Sequence, residues 1–286
     1  MPGTLFEALR GRTAHALRCG ALEPIPTRCE EVPDGGVHFQ AHVVAGLARK
    51  ARAGAPASPP PANPFLPYDP DLFVADVSET HVALLNKYNV VDHHLLLVTR
   101  RFEDQEAPLG PRDLEALLAC MAEFDALGFY NSGPEAGASQ RHRHLQLVPV
   151  PLGSGPGRLP IDPLLAGASR AGGSGLAPGL PFRHALARAD DLAALPVGRA
   201  APLAVERLRA LLAAAGAGSP PGPYNLLLTR DWMLVVPRTR ESFEAVSVNA
   251  LGFAGSFFVP DEARLATLRR HGPMAFLRNT APARAI

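Results

Sequence analysis

The sequence predicts an α+β protein built on an antiparallel sheet with flanking helices, its core unit occurring twice in diverged form. Three observations predict this class. Two apolar, β-prone runs, 81–86 and 94–99, are joined by 87–93 in the manner of a hairpin. Leu114, Leu117, Leu118, Met121 and Phe124 then recur at helical spacing, and two further strand-like runs follow at 129–131 and 142–149. A second hairpin pattern at 224–238 echoes the first in length and apolar character.

Taken in order, the chain begins with Leu5, Phe6, Leu9 and Leu17 interrupted by Arg10, Arg12 and Arg18. That pattern suits an amphipathic helix and lacks the apolar centre of a signal peptide. Residues 53–64 are rich in proline and are expected to form a surface loop, since proline removes a backbone donor and breaks both helix and central strand. After the 81–99 hairpin, Pro111 fits the first turn of a helix and Gly128 its C-terminal cap. Strands 129–131 and 142–149 then flank a glycine-containing loop. Breaker-rich tracts occupy 151–181 and 215–223. One domain is expected over 1–286, with a catalytic half at 65–150 and a second half-repeat at 182–260.

Composition narrows the function. At 286 residues, 47% of them hydrophobic, the chain can bury a sizeable core. A net charge of +1 offers no basic stripe for nucleic acid, and no apolar run reaches the ~18 residues of a membrane span. Cys19, Cys29 and Cys120 form no ligand cluster in sequence, and an odd count suits a reducing compartment, so a cytoplasmic location is expected. Arginine outnumbers lysine 26 to two, the two being Lys50 and Lys87. Such a bias has two readings: chance, since surface lysine and arginine interchange freely, or two places where a compact ammonium is needed.

The chemistry is concentrated in residues 137–146, Gly-Ala-Ser-Gln-Arg-His-Arg-His-Leu-Gln. On a strand, alternate side chains share a face, so His142, His144 and Gln146 line one side and Arg143 and Leu145 the other. The lead-in of Gly137, Ala138, Ser139 and Gln140 offers backbone N–H groups and a hydroxyl for phosphate. A neutral imidazole can attack a phosphoanhydride and form a phosphoramidate, dividing one difficult displacement into two. The central histidine is best placed to attack, flanked by groups that orient it and hold phosphate oxygens. An isolated His-x-His also fits half a zinc site, but His93 and His94 come without a cysteine pair, and no metal site is expected.

These residues resemble a known family. Asn131-Ser132-Gly133, the 137–140 lead-in and His142-Arg143-His144-Leu145-Gln146 are similar to the signature of the diadenosine tetraphosphate (Ap4A) phosphorylases, or ATP adenylyltransferases, of the histidine-triad-like superfamily. Asn86-Lys87 and the 249–255 string Asn-Ala-Leu-Gly-Phe-Ala-Gly resemble the same family. The resemblance implies a histidine-triad-like fold and reversible phosphorolysis of Ap4A to ATP and ADP. It implies that His144 takes the adenylyl group, Gln146 holds its phosphate, and Asn131 contacts the nucleotide. Lys50, Asn86, Lys87, Asn249, Ala250 and Leu251 fall at substrate-binding positions. No cofactor is implied beyond magnesium accompanying the polyphosphate. The family's Met and Lys after the 249–255 motif are replaced by Ser256 and Pro260, which bears on the second substrate; Arg238 or Arg240 could take the place of the missing ammonium. Oligomeric state is not legible. Alternatives are a hexose-1-phosphate uridylyltransferase-like enzyme and a non-catalytic dinucleotide-binding module; Gln146, where hydrolase branches carry a third histidine, argues against hydrolysis.

Overall fold

A computed structural model describes residues 4–44, 63–153, 157–168 and 174–284. Helix α1 (Thr4–Cys19) is followed by β1 (Thr27–Asp34) and β2 (Val37–Val44). Then come β3 (Phe73–Asp76), β4 (His81–Leu85), β5 (Leu95–Thr99), α2 (Pro111–Glu123), β6 (Ala126–Asn131) and β7 (His144–Pro149). Beyond them lie α3 (Asp162–Leu165), β8 (Ala185–Arg188), α4 (Asp190–Ala193), α5 (Val197–Ala214), β9 (Tyr224–Leu228) and β10 (Trp232–Pro237). The chain closes with β11 (Ser242–Phe243), β12 (Val246–Ser247), α6 (Ala250–Ala254), β13 (Ser256–Val259), α7 (Glu262–His271) and α8 (Pro273–Thr280). Lys50 and most of the 53–64 loop lie outside the described residues.

Eight strands form one antiparallel sheet in the order β3-β4-β5-β7-β6-β9-β10-β8. The order β5–α2–β6–β7 is repeated by β8–α5–β9–β10, the two units meeting where β6 pairs with β9. This places the 224–238 hairpin opposite β6–β7, whereas its sequence pattern suggested the 81–99 hairpin. The reason is that length and apolar alternation are shared by any short hairpin; the helix preceding β9 identifies its counterpart. The 81–99 hairpin itself forms as expected, with His81 opposite Thr99 and Leu85 opposite Leu95.

Helix α2 starts at Pro111, where the Gly110 N–H donates to Asp113 Oδ2 at 2.7 Å, and buries Leu114, Leu117, Leu118 and Met121. It ends at Glu123, so Gly128 is not its cap. Gly128 lies within β6, facing α2, where a Cβ would come 2.9 Å from Leu117 Cδ1 and 3.0 Å from Met121 Sδ. Glycine is needed there for close helix–sheet approach.

Helices α1, α2 and α5 cover one face of the sheet through Leu9, Leu117, Leu208 and the strand residues Leu97, Leu145, Leu147 and Leu226. Leu17, expected on the apolar stripe of α1, is instead exposed. The opposite face is covered in two parts. Phe65 packs on Val82, Leu84, Leu96 and Val98 at one end. At the other, a small sheet β1-β2-β13 and α6–α8 pack on Leu127, Phe129, Leu227 and Leu234. In that small sheet β13 runs parallel to β2, a pairing that the sequence did not suggest. Gly255 makes the entry into β13 possible: its φ is +102°, and a Cβ would fall 2.6 Å from Pro160 Cβ. No helix among the described residues is long and apolar enough to cross a membrane.

Candidate active site

Because β7 alternates, Leu145 and Leu147 enter the helix-side core while His144 and Gln146 face the other side, in the gap between its two covers. All three motif side chains are buried. His144 Nδ1 donates to the backbone oxygen of His142 at 2.8 Å, since a carbonyl can only accept. The neutral ring therefore carries its lone pair on Nε2. That atom has no hydrogen-bond partner among the described residues, yet is not among the sealed, unpaired buried atoms. Burial pushes the pKa of His144 down to about 4, so the ring is neutral at physiological pH.

His142 orients this ring through its main chain rather than its imidazole. Its own Nε2 donates to Thr99 O at 2.8 Å, and Nδ1 accepts from Asn63 Nδ2 at 2.9 Å. Phe65 packs against both imidazoles, with ring centroids 5.6 Å from His142 and 5.5 Å from His144, and the exposed Phe102 lies 5.5 Å from His142.

Gln146 is oriented from behind by a residue the motif does not contain. His94 Nε2 donates to Gln146 Oε1 at 3.0 Å, and His94 Nδ1 accepts from Asn86 Nδ2 at 3.2 Å. Burial pushes His94 down to about 4, so it stays a neutral relay. With its oxygen engaged, Gln146 has its amide nitrogen left to donate. Asn86 thus enters the cluster through His94. Its neighbour Lys87 does not join the cluster: it pairs with Glu23 at 3.3 Å and lies 5.6 Å over the Tyr88 ring.

Asn131, the last residue of β6, faces Asn225 across the β6–β9 ladder. Its Oδ1 accepts from Asn225 Nδ2 at 2.8 Å and from the Ala250 N–H at 3.0 Å. Its Nδ2 makes no hydrogen bond among the described residues and is not a sealed buried atom. The glycine loop sits against the same junction. Gly137 has φ +88°, and a Cβ there would lie 2.8 Å from Asn249 Cβ, so the loop and the start of α6 approach as only glycine permits. Asn249 caps α6 by accepting from the Leu251 N–H at 3.0 Å. The structure therefore joins Asn131, Gly137, Asn249, Ala250 and Leu251. It also narrows the loop's donors. Gly137 N–H donates to Pro134 O and Ala138 N–H to Gly133 O, so both are spent on the turn. Ser139, which is exposed, and Gln140 have no such backbone bond among the described residues.

Two further residues support the site: Gln105, which carried no sequence signal, and Arg143, on the opposite face of the motif. Gln105 is buried and bridges the start of β7 to the end of β6: its Oε1 accepts from the His144 N–H at 2.8 Å, and its Nε2 donates to Asn131 O at 2.8 Å and His144 O at 3.2 Å. Behind the strand, Arg143 donates to Asp113 at 3.1 Å and Glu103 at 2.7 Å. Cys19, which sequence placed in no ligand cluster, does come within 4.8 Å of donor atoms on His15 and Asp71, outside the His144 cluster. Pro260 is half-buried and Ser256 buried.

The chain is similar to known proteins over nearly its whole length. The family model for the Ap4A phosphorylase N-terminal domain matches residues 1–167, and that for the ATP adenylyltransferase C-terminal domain matches residues 178–282. Diadenosine 5',5'''-P1,P4-tetraphosphate phosphorylase 2 of Saccharomyces cerevisiae is 29% identical over 258 residues, 78% of this chain and 76% of the relative. The crystal structure of yeast Ap4A phosphorylase Apa2 in complex with Ap4A superposes with a TM-score of 0.80 at 23% identity, covering 100% of both chains. The complex of Apa2 with AMP gives 0.76 at 25% identity, covering 98% of this chain and 97% of that one.

Proposed function

The chain belongs to the Ap4A phosphorylase family, and from that premise we propose that it catalyses reversible phosphorolysis, Ap4A plus phosphate giving ATP plus ADP, through an adenylyl group carried on His144. The observation that carries this reading is the state of His144: a neutral ring, fixed by its Nδ1–H, whose Nε2, like the amide nitrogens of Gln146 and Asn131, has no hydrogen-bond partner among the described residues.

In the first half-reaction Nε2 attacks the α-phosphorus of one adenylate. The N–P bond forms, the P–O bond to the next phosphate breaks, and ATP leaves. In the second, an oxygen of inorganic phosphate attacks the same phosphorus, the N–P bond breaks, and ADP leaves. Gln146 Nε2 and Asn131 Nδ2 donate to non-bridging oxygens, where negative charge rests in both displacements. The N–H groups of Ser139 and Gln140 add to this set. The yeast relative's name and its Ap4A complex support Ap4A as the dinucleotide. Any divalent ion enters with the polyphosphate, and the free cysteines suit a reducing, cytoplasmic setting.

Gln146 favours transfer over hydrolysis, because an amide offers water no general base. Incubation with Ap4A in the presence and absence of phosphate tests the reading. Sustained ATP and ADP formation only with phosphate is expected; turnover of equal rate without phosphate overturns it.

A further inference from the structure

Arg238, directly after β10, is buried, and every acceptor that it meets among the described residues is a neutral oxygen. Nη1 donates to Asn225 Oδ1 at 2.6 Å and to Ala136 O at 3.3 Å. Nε donates to Thr280 O at 3.1 Å, Nη2 to Arg240 O at 2.9 Å and Glu241 O at 3.4 Å. The guanidinium rests 5.1 Å over the Phe253 ring. Burial lowers its pKa to about 9, which leaves it charged at neutral pH.

A guanidinium has donors and no acceptor, so it dictates the orientation of the amides in front of it. Asn225 must turn its oxygen to Arg238, and its Nδ2 then faces Asn131 Oδ1 and Ala136 O, each at 2.8 Å. The Ala250 N–H is a second fixed donor to Asn131 Oδ1. Asn131 therefore can present only its Nδ2 elsewhere. The Glu241 carboxylate interacts with this cation but accepts none of its hydrogen bonds among the described residues, so the cost of burying the charge is only partly offset. A polyanion bound over the adjoining 133–137 turn would add countercharge.

We propose that Arg238 is a positioning residue: through Asn225 it locks Asn131 with its amide nitrogen towards the substrate phosphates, and it holds beneath the phosphate loop a positive charge that bound polyphosphate neutralises. This rests on the functional reading above. It also assigns the role sought for the missing ammonium at Pro260 to a cation from the second half of the chain, acting from below the loop without touching substrate.

The experiment compares wild type with Asn225→Asp and Arg238→Met in Ap4A phosphorolysis and thermal unfolding. Asn225→Asp keeps the size of the side chain and forms an ion pair with Arg238, which offsets the loss of the donor to Ala136 O; the new carboxylate consumes the charge and turns the Asn131 amide round. The expected result is a folded protein that melts closer to wild type than Arg238→Met does, with the KM for Ap4A raised about tenfold and kcat within about threefold. Arg238→Met is expected to show the same KM rise with a lower unfolding temperature. A purely structural role predicts kinetics that follow stability, so a wild-type KM in Asn225→Asp overturns the proposal. If wild type shows no phosphorolysis, the functional reading fails separately; AMP binding by calorimetry then decides, weaker binding to Asn225→Asp supporting the proposal and equal binding overturning it.

Discussion

A nucleophilic histidine held neutral by burial makes the first half-reaction insensitive to mild acid. With its pKa pushed down to about 4, the His144 ring remains about 97% neutral at pH 5.5, whereas an unperturbed ring of pKa ~6.5 would be only about 9% neutral. Lowering the pH from 7.5 to 5.5 should therefore leave the single-turnover release of ATP from Ap4A almost unchanged in kcat/KM, against about a tenfold fall for an exposed histidine. Omitting phosphate confines the assay to adenylylation and removes the ionisation of the second substrate. Stability moves differently over the same range. The unfolded chain protonates its histidines first, so the fold keeps full stability above pH ~6.5 and loses it progressively between there and about pH 4. By pH 5.5 the loss is on the order of 1 kcal/mol for each of His94 and His144, so circular dichroism at each pH must accompany the kinetics. A rate that falls with a midpoint near 6.5 while the protein stays folded would refute the reasoning, because it would mean that the ring titrates as if in water.

Three further outcomes follow from the same geometry. Gly137→Ala should cost about 1–3 kcal/mol of stability, since φ +88° disfavours a side chain and the new methyl meets Asn249, and it should raise the KM for Ap4A by displacing the loop; thermal melts and steady-state kinetics check both. Gln146→Glu keeps the acceptor for His94 but turns a second oxygen towards phosphate, so kcat/KM should fall at least about a hundredfold with little change in melting temperature. Lys87→Ala removes an exposed pair with Glu23 and should leave stability within about 0.5 kcal/mol, so a severalfold KM increase would assign it a direct substrate contact.

Local patterns were the legible part of this chain. The 81–99 hairpin, α2 and the facing of His144 and Gln146 follow from periods of two and 3.6 residues, which depend only on neighbours in sequence. Glycine serves equally as a cap or as a point of close approach, so sequence alone does not distinguish the two roles at Gly128; the packing of Leu117 and Met121 does. The pattern at 224–238 is generic to short hairpins, so only the strand order identifies β6–β7 as its counterpart. The supporting roles were less legible. Gln105 and Asn225 carried no signal, while His94 and Arg238 were noted for other reasons; His94, Gln105 and Asn225 lie 52, 39 and 94 residues from the groups that they hold, and no spacing rule connects them. Lys87, singled out by the rarity of its residue type, pairs with the surface carboxylate of Glu23 in this structure.

The reaction turns on a covalent adenylyl group on His144. Mixing the protein with labelled Ap4A in the absence of phosphate, quenching in base and mapping the label by mass spectrometry tests it directly. One adenylyl group per chain is expected, acid-labile, on the peptide containing His144, discharged as ADP when phosphate is added and absent from His144→Ala. A label that persists in His144→Ala, or ATP released with no adduct at any time, would contradict it.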